Sequence, residues 1–95
     1  MVSFNEILVL IRINKLAEED ISKSISGFKL INEDFKFINE TNISERVILY
    51  NTLKSLVEKG LLNQIYSIRE ILSLHGGSSA VSITKDGVSL AKKYS

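Results

Sequence analysis

Residues 4–17, FNEILVLIRINKLA, place apolar side chains on two sides of a helical wheel. Phe4, Ile7, Leu8 and Ile11 share one face, and Val9, Leu10, Ile13, Leu16 and Ala17 occupy roughly the opposite one, with a narrow polar seam near Asn5 and Arg12. Ser3 can cap such a helix and the charges fall at helical intervals, so the pattern predicts a helix over 4–17. A buried strand over 7–13 is the alternative that a short apolar run leaves open. A helix apolar on two faces is buried on two faces. In a small domain the second face is expected to meet another chain, with Val9, Leu10, Ile13 and Leu16 at or beside a homodimer contact. Residues 18–25 read as a further helical turn or two stopped by Gly27, and Phe28 to Ile31 as a short strand.

The stretch Asn32 to Leu62 reads as two helices joined by a very short turn. Asn32 caps the first, Glu33 and Asp34 offset its dipole, and Phe35 and Ile38 face inward. Asn42 tolerates the left-handed backbone of a tight turn. Ser44 caps a longer helix over 44–59, in which Leu49, Leu53 and Leu56 recur at helical spacing until Gly60 ends it. Asn63 to Leu74 is rich in β-branched and aromatic residues, a Gly76-Gly77-Ser78-Ser79 break follows, and Ala80 to Thr84 is again apolar. This predicts a β-hairpin over 63–84, after which Thr84 caps a final helix over 85–94.

The order is helix, short helical turn, strand, helix, helix, strand, strand, helix: an α+β chain forming one domain over 1–95. The segments FINETNISE, LKSLVEKGLL and VSITKDGVSLAKKY resemble the winged helix-turn-helix family, in particular regulators of the MarR, ArsR and PadR types. The resemblance covers 28–95 well and 1–27 loosely. Ile38 departs from it, standing where many such units have a small residue. The resemblance implies a dimeric double-stranded DNA-binding protein, with helix 44–59 in the major groove and wing 75–79 on the backbone or minor groove. Transcriptional repression is the first expectation. A centromere-binding adaptor of a plasmid or phage partition system, of the TubR type and working with a filament-forming nucleotidase, is the second. A winged helix that binds protein and not DNA is the third.

Within that frame the side chains have specific expected roles. Asn51 can pair with adenine, Val47 can meet a thymine methyl, Tyr50 and Lys54 can hold phosphate, and Ser44 and Arg46 can reach the backbone from the first turn. In the wing, Arg69 and His75 supply charge, Gly76 and Gly77 permit close approach, and Ser78 and Ser79 can donate hydrogen bonds. The plainer reading is that Asn51 and Lys54 are merely solvated, and that Val47, Ile48 and Tyr50 form a dimer seam.

Charge and composition adjust this picture. The net charge is only +1 over 95 residues, which is low for a nucleic-acid binder. Residues 1–43 hold five basic and seven acidic groups, whereas 44–95 hold seven and four, so the positive half is the one with the expected reading helix. There is no cysteine, hence no disulfide framework or thiolate metal site, as expected of a reducing cytoplasm. One histidine without ligand partners argues against a metal site and against a Ser-His-acid set. No glycine-rich loop opens a helix. The expectations are no enzyme activity, no cofactor, no membrane association and a cytoplasmic location without a signal peptide.

Overall fold

The computed structural model describes residues 2–27, 30, 43–72 and 79–95. Those residues form an α+β arrangement of three helices and a small antiparallel sheet. The first helix, α1 (Phe4–Ala17), starts in a capping box: the Ser3 hydroxyl accepts from the Glu6 amide at 3.2 Å, and the Glu6 carboxylate accepts from the Ser3 amide at 3.1 Å. Two orphan amides are thereby satisfied at once. The helix ends where Glu18 and Glu19 both turn left-handed, at φ 53° and 63°. The Glu18 amide donates to Lys15 and the Glu19 amide to Asn14. No second helical stretch follows in 18–24, contrary to expectation. The chain turns instead, and Asp20 holds the turn by accepting from both the amide and the hydroxyl of Ser22, at 2.9 and 2.6 Å. Those two bonds lower the Asp20 pKa.

The first strand, β1 (Ile25–Ser26), comes before Gly27 rather than after it. Gly27 and Leu30 are helical, so the strand expected at Phe28 to Ile31 does not form at Leu30, which is fully buried. The helix expected to begin at Asn32 lies outside the described residues. The next described element is α2 (Ile43–Glu58). The sequence explains its end: the Gly60 amide donates to Val57, the Leu61 amide donates to Leu56, and Gly60 itself sits at φ 74°. This is a Schellman turn, and the buried Leu56 and Leu61 supply its apolar contact. Thr52 donates to the Ile48 carbonyl at 2.8 Å inside the helix.

Strand β2 (Leu62–Tyr66) follows, then a 3₁₀ helix, η1 (Ile68–Leu72), where continued strand was expected to Leu74. The reason is a spacing of three. Ile68 and Ile71 are both buried; a strand would send them to opposite faces, whereas a 3₁₀ turn stacks i over i+3. Strand β3 (Ala80–Ile83) is buried along its whole length and lies in the middle of the sheet, in the order β1-β3-β2. Ile25 pairs with Val81 and Leu62 with Ile83, with a bulge between Gln64 and Tyr66. Helix α3 (Lys85–Tyr94) occupies the expected range. Its cap, Thr84, accepts from the Gly87 amide at 3.0 Å and donates to the Gly60 carbonyl at 2.8 Å, tying α3 to the end of α2. The core unites Leu10 and Ile13 of α1, Ile25 of β1, Leu53 and Leu56 of α2, Leu62 of β2, Ile71 of η1, Ile83 of β3 and Ala91 of α3.

The faces of α1 are the reverse of the expected assignment. Val9, Leu10 and Ile13 pack inside the chain's own core and Leu16 is half-buried against it, while Phe4 and Leu8 stand in solvent. Side chains sunk in their own core do not line a subunit contact. The inner face also carries Glu6, which explains the choice. Its carboxylate accepts from Lys59 Nζ at 2.7 Å and from the Ser55 hydroxyl at 3.2 Å, joining the start of α1 to the end of α2. Burial alone would raise the Glu6 pKa; Lys59, Ser3 and Ser55 outweigh it, and the group lies below its ordinary value.

Candidate nucleic-acid interface

Helix α2 is held from beneath by Leu49, Leu53 and Leu56, each almost fully buried. Its opposite side therefore faces water. Ser44, Val47, Asn51, Lys54 and Glu58 recur there at intervals of three and four, and Ile48, beside Val47, is 54% exposed. Such a face can offer an amide, a hydroxyl, an ammonium and two branched apolar groups to one ligand surface. Ser44 lies inside the described helix and not at its cap.

Arg46 is not part of that face. It is 3% exposed, and the reason is visible in the spacing: Leu49, Leu53 and Leu56 extended back by one step of three arrive at Arg46. It is a residue of the fold, withdrawn from the surface that would meet a DNA backbone. Tyr50 is half-buried and packs against the core, so its ring is partly committed inward. With Arg46 inside, Lys54 and Glu58 are the charged groups on the described outer face, one of each sign and one turn apart. Lys59, on the flank, is engaged by Glu6.

The expected wing residues separate into three groups. His75, Gly76, Gly77 and Ser78 lie outside the described residues. Ser79 is buried, and its carbonyl accepts from the Gly27 amide at 2.8 Å. A Cβ on Gly27 would collide with the Ser79 hydroxyl, so this serine is a close-packed part of the frame beside β1 and does not face a phosphate. Arg69 is exposed, but on η1 and next to the exposed Glu70, not on a strand of the hairpin.

Other exposed groups escaped the sequence reading. Ile65 and Tyr66 stand out from β2, at the bulge, although both look like interior strand residues by composition. Within β2, an outer strand of the three-stranded sheet, Leu62 is the one buried residue. Lys85, Lys92 and Lys93 are exposed on α3. Lys92 reaches Glu19 at 3.7 Å and Lys93 lies 5.7 Å from the Tyr94 ring centre. Among the described residues there is no cluster of His, Cys, Asp and Glu suited to a metal ion, and no helix long and apolar enough to cross a membrane. Comparison with protein-family models, with curated proteins and with solved structures finds no match to this chain.

Proposed function

We propose that the chain is a winged helix-turn-helix DNA-binding protein, acting as a transcriptional repressor. The observation that carries this reading is helix α2, clamped at its C-terminal end by Glu6, Thr84 and the Schellman turn, while its outer side stays open along four turns. A rigid helix with one free face, followed directly by a strand of a small antiparallel sheet, suits insertion into a major groove. Asn51 would read adenine through its amide, Val47 and Ile48 would meet thymine methyl groups, and Lys54 would hold phosphate. Ser44 would meet the backbone. A partition adaptor would use the same face, and the arrangement of its target sites, as repeated centromere elements, would distinguish it.

A protein-docking role is the second reading. It is favoured by the near-neutral outer face, which leaves Val47 and Ile48 exposed with little phosphate attraction around them.

The test is binding to duplex DNA from the neighbourhood of the protein's own gene, against an unrelated duplex, over a range of salt. Asn51→Ala should cost about 1–3 kcal/mol on the target and relax sequence preference, because a base-edge contact is lost. Lys54→Ala should weaken both duplexes alike and flatten the salt dependence. Folded variants that bind like the parent, or a parent that does not distinguish the duplexes, would remove α2 as a reading helix and leave the docking role.

A further inference from the structure

Every fourth residue of α2 falls on one row: Val47, Asn51, Ser55 and then Lys59, whose amide donates to the Ser55 carbonyl at 3.0 Å and so keeps the helical turn. Such a row drifts around a helix as it descends. It starts on the outer side, where Val47 and Asn51 are exposed, and reaches α1 at the half-buried Ser55 and at Lys59. There both side chains end on one atom, Oε2 of Glu6, at 3.2 and 2.7 Å. The other carboxylate oxygen, Oε1, accepts from the Ser3 amide at 3.1 Å. Glu6 is 7% exposed, and each of its oxygens serves a different helix. We infer that Glu6 is a positioning residue for the reading helix: by holding this row against α1 it sets how well the protein discriminates between DNA sequences, a role that rests on the DNA-binding reading of α2.

Helix position matters more to a base contact than to a phosphate contact. Side-chain tips lie about 5–6 Å from a helix axis, so a rotation of about 10° moves them by about 1 Å. That exceeds the range of roughly 0.5 Å over which a hydrogen bond keeps its length. Asn51 stands on the tethered row, one turn before Ser55, and takes up any such movement directly. Lys54 carries its charge on a flexible four-carbon stem and follows a phosphate through the same rotation. A carboxylate accepts at both oxygens, whereas an amide has one acceptor oxygen and presents donors at the other position. Glu6→Gln must therefore give up either the Ser3 amide or the Ser55 and Lys59 donors. It also removes the negative charge that neutralises Lys59.

The chain has no cysteine of its own, so spin labels placed at Lys15→Cys on α1 and Glu58→Cys on α2 report the distance between the helices without DNA. Glu6→Gln should shift or broaden that distance distribution while the circular dichroism spectrum stays that of the parent. On DNA, Glu6→Gln should cut the ratio of target to unrelated affinity roughly tenfold, within the range of one base-edge contact. Its binding to the unrelated duplex should rise at low salt, because the net charge increases by one unit from +1. Simple destabilisation would lower both affinities together. Ser55→Ala, which removes one tether and no charge, should lower the ratio without moving the unrelated duplex, and it carries both measurements if Glu6→Gln does not fold. Lys59→Arg, which keeps a charged donor, should retain the parent's ratio. Label distances unchanged in Glu6→Gln and Ser55→Ala, or a ratio unchanged in both beside a parent that discriminates, would overturn the positioning role. A parent that does not distinguish the duplexes would instead remove the DNA reading, and the discrimination assigned to Glu6 with it.

Discussion

Gly87→Ala sets two physical effects against each other. Gly87 lies in the first turn of α3, and helix propensity alone favours alanine there by about 1 kcal/mol. The surroundings reverse that preference. A Cβ at this position would collide with the Leu61 carbonyl oxygen and approach Ile83 Cγ1 to 2.7 Å. Neither neighbour is the loose end of a flexible chain. The Leu61 carbonyl accepts from the Thr84 amide at 3.2 Å, and the Leu61 amide is fixed by the Schellman turn; Ile83 is fully buried. Relief requires α3 to move away, which strains the Thr84 bond to Gly60. Overpacking of this kind typically costs about 1–3 kcal/mol, and with a rigid carbonyl as the obstacle the net loss is expected near the upper end, about 2 kcal/mol after the propensity gain. Gly60→Ala is the informative contrast. No atom lies within 4 Å of its Cβ position, but φ is +74°, so only the left-handed penalty of roughly 1–2 kcal/mol applies, and less than that in a flexible turn. Urea unfolding followed by circular dichroism should show a lower midpoint at unchanged slope for both, with Gly87→Ala the more damaged. A Gly87→Ala variant as stable as the parent would refute the reasoning.

Three further predictions follow from local geometry. Glu6→Gln should cost about 1–2 kcal/mol at neutral pH, discounted because Lys59 keeps a third of its side chain in water. Since the Glu6 pKa is lowered from 4.5, the stabilisation is present above that value and is lost as pH falls through the lower folded one; parent and variant stabilities should converge in that acid window, and a constant gap would refute the linkage. Glu18→Gly should stabilise by about 0.5–1 kcal/mol, because glycine takes the left-handed backbone without penalty although its unfolded chain is freer; the check is a raised midpoint in thermal unfolding. Ile68→Ala and Ile71→Ala should each cost about 2–4 kcal/mol, measurable in the same denaturant assay, whereas a strand in this segment would leave one of the two nearly neutral.

The parts of the fold most legible in the sequence are those set by a local rule. Ser3 before Phe4, Gly60 after Leu56, and Thr84 before an amphipathic stretch each fix an element boundary through a few neighbouring atoms, and the observed ends lie within a residue of those expected. The faces of α1 were not legible, because both sides are apolar and the deciding group, Glu6, finds Lys59 and Ser55 about fifty positions away. The 3₁₀ helix was hidden by composition: isoleucines suggest strand, and only their interval of three points to a tight turn. In the candidate interface, Asn51, Lys54 and Val47 are exposed as expected of a reading face, while Arg46 and Ser79 are not. A positive charge near a helix start and a serine beside glycines suggest phosphate contacts by residue type, but burial is decided by register, and both fall on the inward register.

The position of β3 has a consequence for the order in which the protein can be made. Synthesis delivers the two outer strands first, and the strand that joins them emerges last, at Ala80–Ile83. Until then β1 and β2 have no common partner and the ladder Ile25 to Val81 must wait for more than fifty intervening residues. A nascent chain arrested before Ala80 therefore carries helices without a sheet and exposes the apolar side of α1 that β3 and α3 would cover. Formation of the sheet is therefore postponed until β3 has been made, when the chain closes both strand-to-strand loops together.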